Sequence, residues 1–110
     1  MTLQPRKLYP REAAIVASLI SAAPAKYWFL VDHLSEARVV PMDDGGMGSL
    51  RFDQTDPMGE EIAVTTFIDA DGVPVSVSLN VTSRGRLYEL DVFKADFSPL
   101  IRFPPILGPA

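Results

Sequence analysis

The sequence predicts an α+β fold, with two N-terminal helices packed on one face of an antiparallel β-meander of about five strands. Three observations predict it. The apolar period is helical up to Ser35 and two-residue after it. Asp71-Gly72 and Arg84-Gly85 each separate two β-patterned runs, the arrangement of short hairpins. The chain has 110 residues, 47% hydrophobic and 22% charged, which suits one domain with its own core. We read a single domain over 1–110, with a helical part at 1–34, an antiparallel sheet at 36–95 and a Pro-rich tail at 96–110.

Pro10 opens the first helix. Its missing N–H costs nothing in a first turn, and Glu12 there complements the helix dipole. Ile15, Val16, Leu19 and Ile20 form one apolar stripe before Ala22-Ala23-Pro24 ends it. A second helix is expected from Pro24, because Tyr27, Trp28, Leu30, Val31 and Leu34 recur at helical steps; Tyr27 and Trp28 are expected in the core. "ARVVPM" and "SLRF" then read as paired strands, with Pro41 marking an edge or an end. "EIAVTTFIDA", "VPVSVSLNVT" and "RLYELDVFK" read as three more. A two-residue loop at Asp71-Gly72 would set Ile68 opposite Val75, Thr66 opposite Val77 and Val64 opposite Leu79. The second hairpin would set Val81 against Tyr88, Leu79 against Leu90 and Val77 against Val92. The opposite face would carry Ser76, Ser78, Asn80, Thr82, Glu89 and Asp91, with Leu87 and Phe93 as exposed apolar residues. In the tail, Phe97, Leu100, Ile101 and Phe103 are expected to pin the chain, leaving the last few residues loose.

Charge and composition exclude several function classes. There is no cysteine, which removes disulfide scaffolds, thiol catalysis and Cys-based metal sites. The net charge is −4, unevenly spread: residues 32 to 71 hold ten acids against two bases, a local −8. Such a segment repels nucleic acid and attracts a cationic surface or a cation; it also serves as a plain solubilising face. "AAIVASLISAAP" is too short to span a membrane, which takes roughly 20 residues. With no convincing secretion signal, a cytoplasmic location is expected, without membrane or nucleic-acid partners.

The stretch "DDGGMGSLRF" at 43–52 holds the densest motif. Three glycines resemble a phosphate cradle, but no lysine is near, a strand follows, and Asp43 and Asp44 would repel an anion. Asp43, Asp44 and Asp53 could ligate a hard cation, although adjacent acids rarely converge unaided. A tight turn is the simplest role. "DADGVP" at 69–74 opens like a calcium loop but lacks its third acid and its closing glutamate, so a hairpin is preferred. His33 is the sole histidine and sits where a helix C-terminus would favour it. Glu89 and Asp91 share a strand face and could in principle do acid–base work.

Two runs together resemble a known family. "DDGGMGSLRF" and "DADGVPVSVSLNVTSRGRLYELDVFKADFSPLIRFP" at 69–104 are similar to small bacterial proteins of unknown function that share a D-G-G-M-G-S-L core and a later L-Y-E-L-D-x-[FW]-K run. The first helix, "YPREAAIVASLI", is similar in pattern only. The resemblance implies no catalytic residue. By analogy, proteins of this size and style look like immunity or antitoxin partners.

The sequence therefore points to a non-enzymatic binding protein, with no catalytic residues, metal or cofactor. It would be an immunity-type inhibitor of a basic protein partner, using Asp43, Asp44, Gly45, Gly46, Glu89 and Asp91 with Leu87 and Phe93 as apolar anchors. The alternative is a small-molecule or divalent-metal-binding protein with hydrolytic activity at the glycine turn. A homodimer through the edge near Pro41 or the apolar tail also stays open.

Overall fold

The structure is a computed structural model and describes residues 4–104; the expectation of a loose chain end falls on residues outside these. The elements are β1 (Arg6–Lys7), α1 (Pro10–Ala22), a 3₁₀ helix (Ala25–His33), β2 (Arg38–Pro41), β3 (Leu50–Phe52), β4 (Met58–Ile68), β5 (Pro74–Thr82) and β6 (Leu87–Lys94). The α+β class and the helix-on-sheet layering stand. The sheet is larger than expected, with six antiparallel strands in the order β1-β2-β3-β6-β5-β4. Only β4, β5 and β6 form a meander. After β3 the chain crosses to the far edge, and β6 returns to the middle beside β3. The added strand, β1, pairs with Arg38 and Val39 of β2, so the edge strands are β1 and β4, and Pro41 ends β2 beyond that pairing.

Helix α1 follows its sequence signals. Pro10 occupies the first turn, and the Tyr9 N–H donates to Glu12 Oε1 at 2.8 Å. Arg6 holds the same carboxylate with two hydrogen bonds of 2.8 and 3.0 Å, which raises the arginine's pKa further. Ile15, Val16, Leu19 and Ile20 turn inward onto Val75, Val77, Leu79, Leu90 and Val92. Each such side chain contributes about 1.5–3 kcal/mol when taken fully out of water.

The second helix is wound as 3₁₀. Three residues per turn puts Tyr27 and Leu30 on one face, and these two are buried. Trp28 and Val31 fall on the outer face, 53% and 45% exposed, so Trp28 is not a core residue. Its indole N–H donates to the Ala23 carbonyl at 2.9 Å. The Tyr27 hydroxyl donates to Glu60.

One hairpin register matches and one slips. Leu79 faces Leu90 and Val77 faces Val92 as expected, but a bulge between Asn80 and Val81 sets Val81 against Leu87. In the β4–β5 turn, the Gly72 N–H bonds the Asp69 carbonyl and Gly72 takes φ +82, while the Asp69 N–H bonds Val73. That is a three-residue loop ending in a left-handed glycine. It moves every partner by one: Ile68 faces Pro74, Thr66 faces Ser76 and Val64 faces Ser78. A one-residue slip exchanges the faces of a strand. Phe67 therefore packs against the core, whereas Val64 and Ile68 are 56% and 64% exposed. Gly59 permits a further bulge; a Cβ there would stand 2.5 Å from the Thr82 carbonyl oxygen.

Alternation along β6 sends Leu90, Val92 and then Lys94 inward, and Lys94 is fully buried. Its ammonium donates to Asp69 Oδ2 at 2.8 Å, Asp71 Oδ2 at 2.7 Å and the Pro99 carbonyl at 3.1 Å. All three protons are used. Asp69 also accepts from the N–H groups of Ala70, Ile101 and Arg102. The acids that resemble a calcium loop thus hold an ammonium and the returning tail.

Burial alone would raise the Asp69 carboxyl, but the Ile101 N–H, the Lys94 ammonium and the other two N–H donors outweigh it and hold it well below the usual carboxylate range. Burial likewise opposes the Lys94 charge, and Asp69 and Asp71 push its pKa up. The Asp69 contribution is therefore complete above the unfolded carboxyl value, about pH 3.9, and is lost as pH falls through the depressed folded one. The Lys94 contribution is complete below its unfolded value, about pH 10.4, and is lost as pH rises through the raised folded one. Asp69→Ala leaves a buried cation without its main partner and should lower stability by about 3–5 kcal/mol. The measurement is urea unfolding from pH 2 to 8, where wild type should lose stability below about pH 4 more steeply than the variant.

Candidate functional site: the glycine loop and the open sheet face

The glycine loop joins β2 to β3 and is built by one carboxylate. Asp44 accepts from the N–H groups of Met47 at 3.1 Å and Ser49 at 3.0 Å. Gly45, Gly46 and Gly48 all take positive φ, at +76°, +82° and +103°. Ser49 is buried, and its hydroxyl accepts from the Val92 N–H at 2.8 Å while lying 3.4 Å from Asp91 Oδ1. The loop is therefore bonded to the middle of β6.

The returning tail covers the loop. The Leu100 N–H donates to the Gly46 carbonyl at 2.9 Å. A Cβ on Gly46 would stand 3.3 Å from Pro99, and one on Gly48 would stand 3.2 Å from Leu100. The missing side chains make a seat for residues 99–103. The Lys94 ammonium fixes the same segment from its other side.

The expected site residues separate into two groups. Asp43, Gly45 and Gly46 are exposed at the loop tip, Gly46 with Pro99 beside it, whereas Asp44 is spent on loop hydrogen bonds. Asp91 and Phe93 lie on the sheet face that no helix covers, beside half-buried Glu89, which pairs with Arg51 at 3.4 Å. Ser49 brings the loop and this face together. Leu87 does not belong there: it is 8% exposed, because the bulge at Asn80 and Val81 turns it into the core.

Sequence reading missed residues that complete the face. Phe97, expected to pin the tail, is instead 68% exposed, with φ +63, and meets Phe93 edge to face at 5.2 Å; the Ile101 side chain is also exposed, and Phe103 is the buried anchor. A left-handed backbone at a non-glycine residue costs roughly 1–2 kcal/mol, and no local pattern announces it. Val64 and Ile68 reach the open face only through the register slip. The Arg51 guanidinium lies 5.6 Å from the Tyr88 ring centroid and pairs with Glu89, a contact that needs the β3–β6 pairing, which strand alternation does not reveal.

Among the described residues, no group of three or more His, Asp or Glu side chains is placed to hold a metal ion. His33 stands at the exposed end of the 3₁₀ helix, with its ring against Phe29 at 5.9 Å. Among the described residues, no helix is long and apolar enough to cross a membrane.

The seat is tested by two alanines. Gly45→Ala meets open space and carries only the backbone cost of about 1–2 kcal/mol. Gly48→Ala adds a clash with Leu100 and should cost roughly 1–3 kcal/mol more by urea unfolding. Equal losses would mean that the tail does not rest on the loop.

No curated protein and no solved structure matched. A scan of protein families matched residues 5–104 to a domain of unknown function, DUF6984. The match covers both helices, all six strands and the covering segment, so this chain belongs to the DUF6984 family.

Proposed function

We propose that this protein is a non-catalytic binding module that holds a cationic protein partner on its open sheet face, in the manner of an immunity or antitoxin-type inhibitor. The carrying observation is the exposed Phe93–Phe97 pair next to exposed Asp91, on a face without a covering helix. Exposed aromatics with a fixed geometry are common interface anchors. Neighbouring acids would steer a basic surface toward them.

The acidic contribution is smaller than the sequence count. Of the ten acids in residues 32 to 71, Asp69 and Asp71 hold Lys94, Asp44 builds the loop, Glu60 accepts from Tyr27, and Asp56 lies 3.8 Å from Arg84. Asp32, Glu36, Asp43, Asp53 and Glu61 remain exposed, and Asp43 and Asp53 line a shallow groove with Val40 and Arg51. Together with Asp91 these two form the charged margin of the proposed interface.

At the glycine turn Pro99 and Leu100 lie against Gly46 and Gly48, so the open sheet face is the reading preferred over that loop.

The experiment is affinity capture from the host, followed by titration of the captured partner. Wild type should retain one stoichiometric basic protein. Phe93→Ala with Phe97→Ala should weaken binding at least tenfold, and Asp43→Lys with Asp91→Lys should slow association and flatten its salt dependence. Unchanged affinity in both variants, or no partner at all, would overturn the proposal.

A further inference from the structure

On the far side of the molecule from the tail, a groove of about 380 Å³ opens between the 3₁₀ helix, the segment after β3 and the β5–β6 turn. Its volume lies in the range of small-ligand sites. The floor is apolar, made by buried Leu30, Phe52 and Leu87. Phe29, 51% exposed, forms one wall.

Cations crowd this groove although the chain is acidic overall. Arg38, Arg84 and Arg86 all line it, and they come from two separate parts of the chain; the His33 ring lies beside them. Glu36 and Asp53 also line it. The arginines are only lightly engaged. Among the described residues, the Arg86 guanidinium makes no hydrogen bond or ion pair. Arg84 reaches Asp56 only at 3.8 Å and is 78% exposed. Arg38 donates through one terminal nitrogen to the carbonyls of Glu36 and Ala37 at 3.0 and 3.2 Å. These two bonds anchor the guanidinium and leave its other donors available, since the group carries five.

We propose that this groove binds a small organic anion with an aromatic body and a phosphate or carboxylate head. The ring would lie on the apolar floor against Phe29, and the head would accept from Arg86 and Arg38. Planar guanidinium groups match oxyanions through paired hydrogen bonds, which a solvated surface arginine does not need. Glu36 and Asp53 would disfavour a polyanion, so the match is to a head of low charge. This site does not use the Phe93–Phe97 pair, although Asp53 borders both grooves.

The test uses phenyl phosphate and benzoate, with inorganic phosphate and phenol as the separate halves, read by calorimetry and by amide NMR shifts. At least one of the two aryl anions should bind saturably, at least tenfold more tightly than either half. Its shifts should centre on Phe29, Gln54 and Arg86. Arg86→Ala should weaken it at least tenfold with little change in the unfolding midpoint, because its guanidinium makes no hydrogen bond or ion pair among the described residues. Benzoate alone binding would assign the head as carboxylate, and phenyl phosphate alone as phosphate. Overturning results are no saturable binding of either aryl anion, shifts centred elsewhere, or undiminished binding in Arg86→Ala.

Discussion

A lysine ammonium without solvent contact sits at the end of the central strand β6, and much of the tertiary arrangement answers to it. Taking such a charge out of water is costly unless anions and acceptors replace the water. Two aspartates from the β4–β5 turn and a carbonyl from the tail do so. Supplying Asp69 and Asp71 requires a turn that projects both carboxylates back over the strand ends. The three-residue loop with left-handed Gly72 has that form. Asp69 then binds the Ile101 and Arg102 amides, and the tail is laid across the glycine loop. The charge pair, the hairpin register and the tail's path form one connected arrangement.

That connection gives the two dense motifs a physical meaning. The D-D-G-G-M-G-S run and the L-Y-E-L-D-V-F-K run touch through Ser49 and Val92, and through Met47 and Lys94. Their glycines admit the tail and their lysine holds it. The motifs define a fold junction, and the candidate interface lies at its margin, at Asp43, Asp91, Phe93 and Phe97.

Much of the fold was legible because it depends on local rules. The α1 stripe follows from helical spacing, and Val77 against Val92 follows from strand alternation and a turn. The β4–β5 register was not legible, because Asp71-Gly72 fits both a two-residue and a three-residue loop. The choice is made by Lys94, more than twenty positions away, through its need for both aspartates. Leu87 was misplaced for a similar reason, since nothing in "RLYELD" marks the bulge. The sequence charge of the middle segment also misled. Summed charge does not reveal which acids the fold consumes, and the burial of Asp69 depends on a cation counted in another segment.

Amide hydrogen exchange of Leu100, Ile101 and Arg102 in wild type and in a Lys94→Met variant tests most directly whether the buried ammonium holds the tail. Methionine keeps much of the side-chain volume and removes the charge. The account predicts that all three amides exchange much faster in the variant while the Val77 and Leu79 amides of β5 stay protected. Tail amides as protected as in wild type would contradict it.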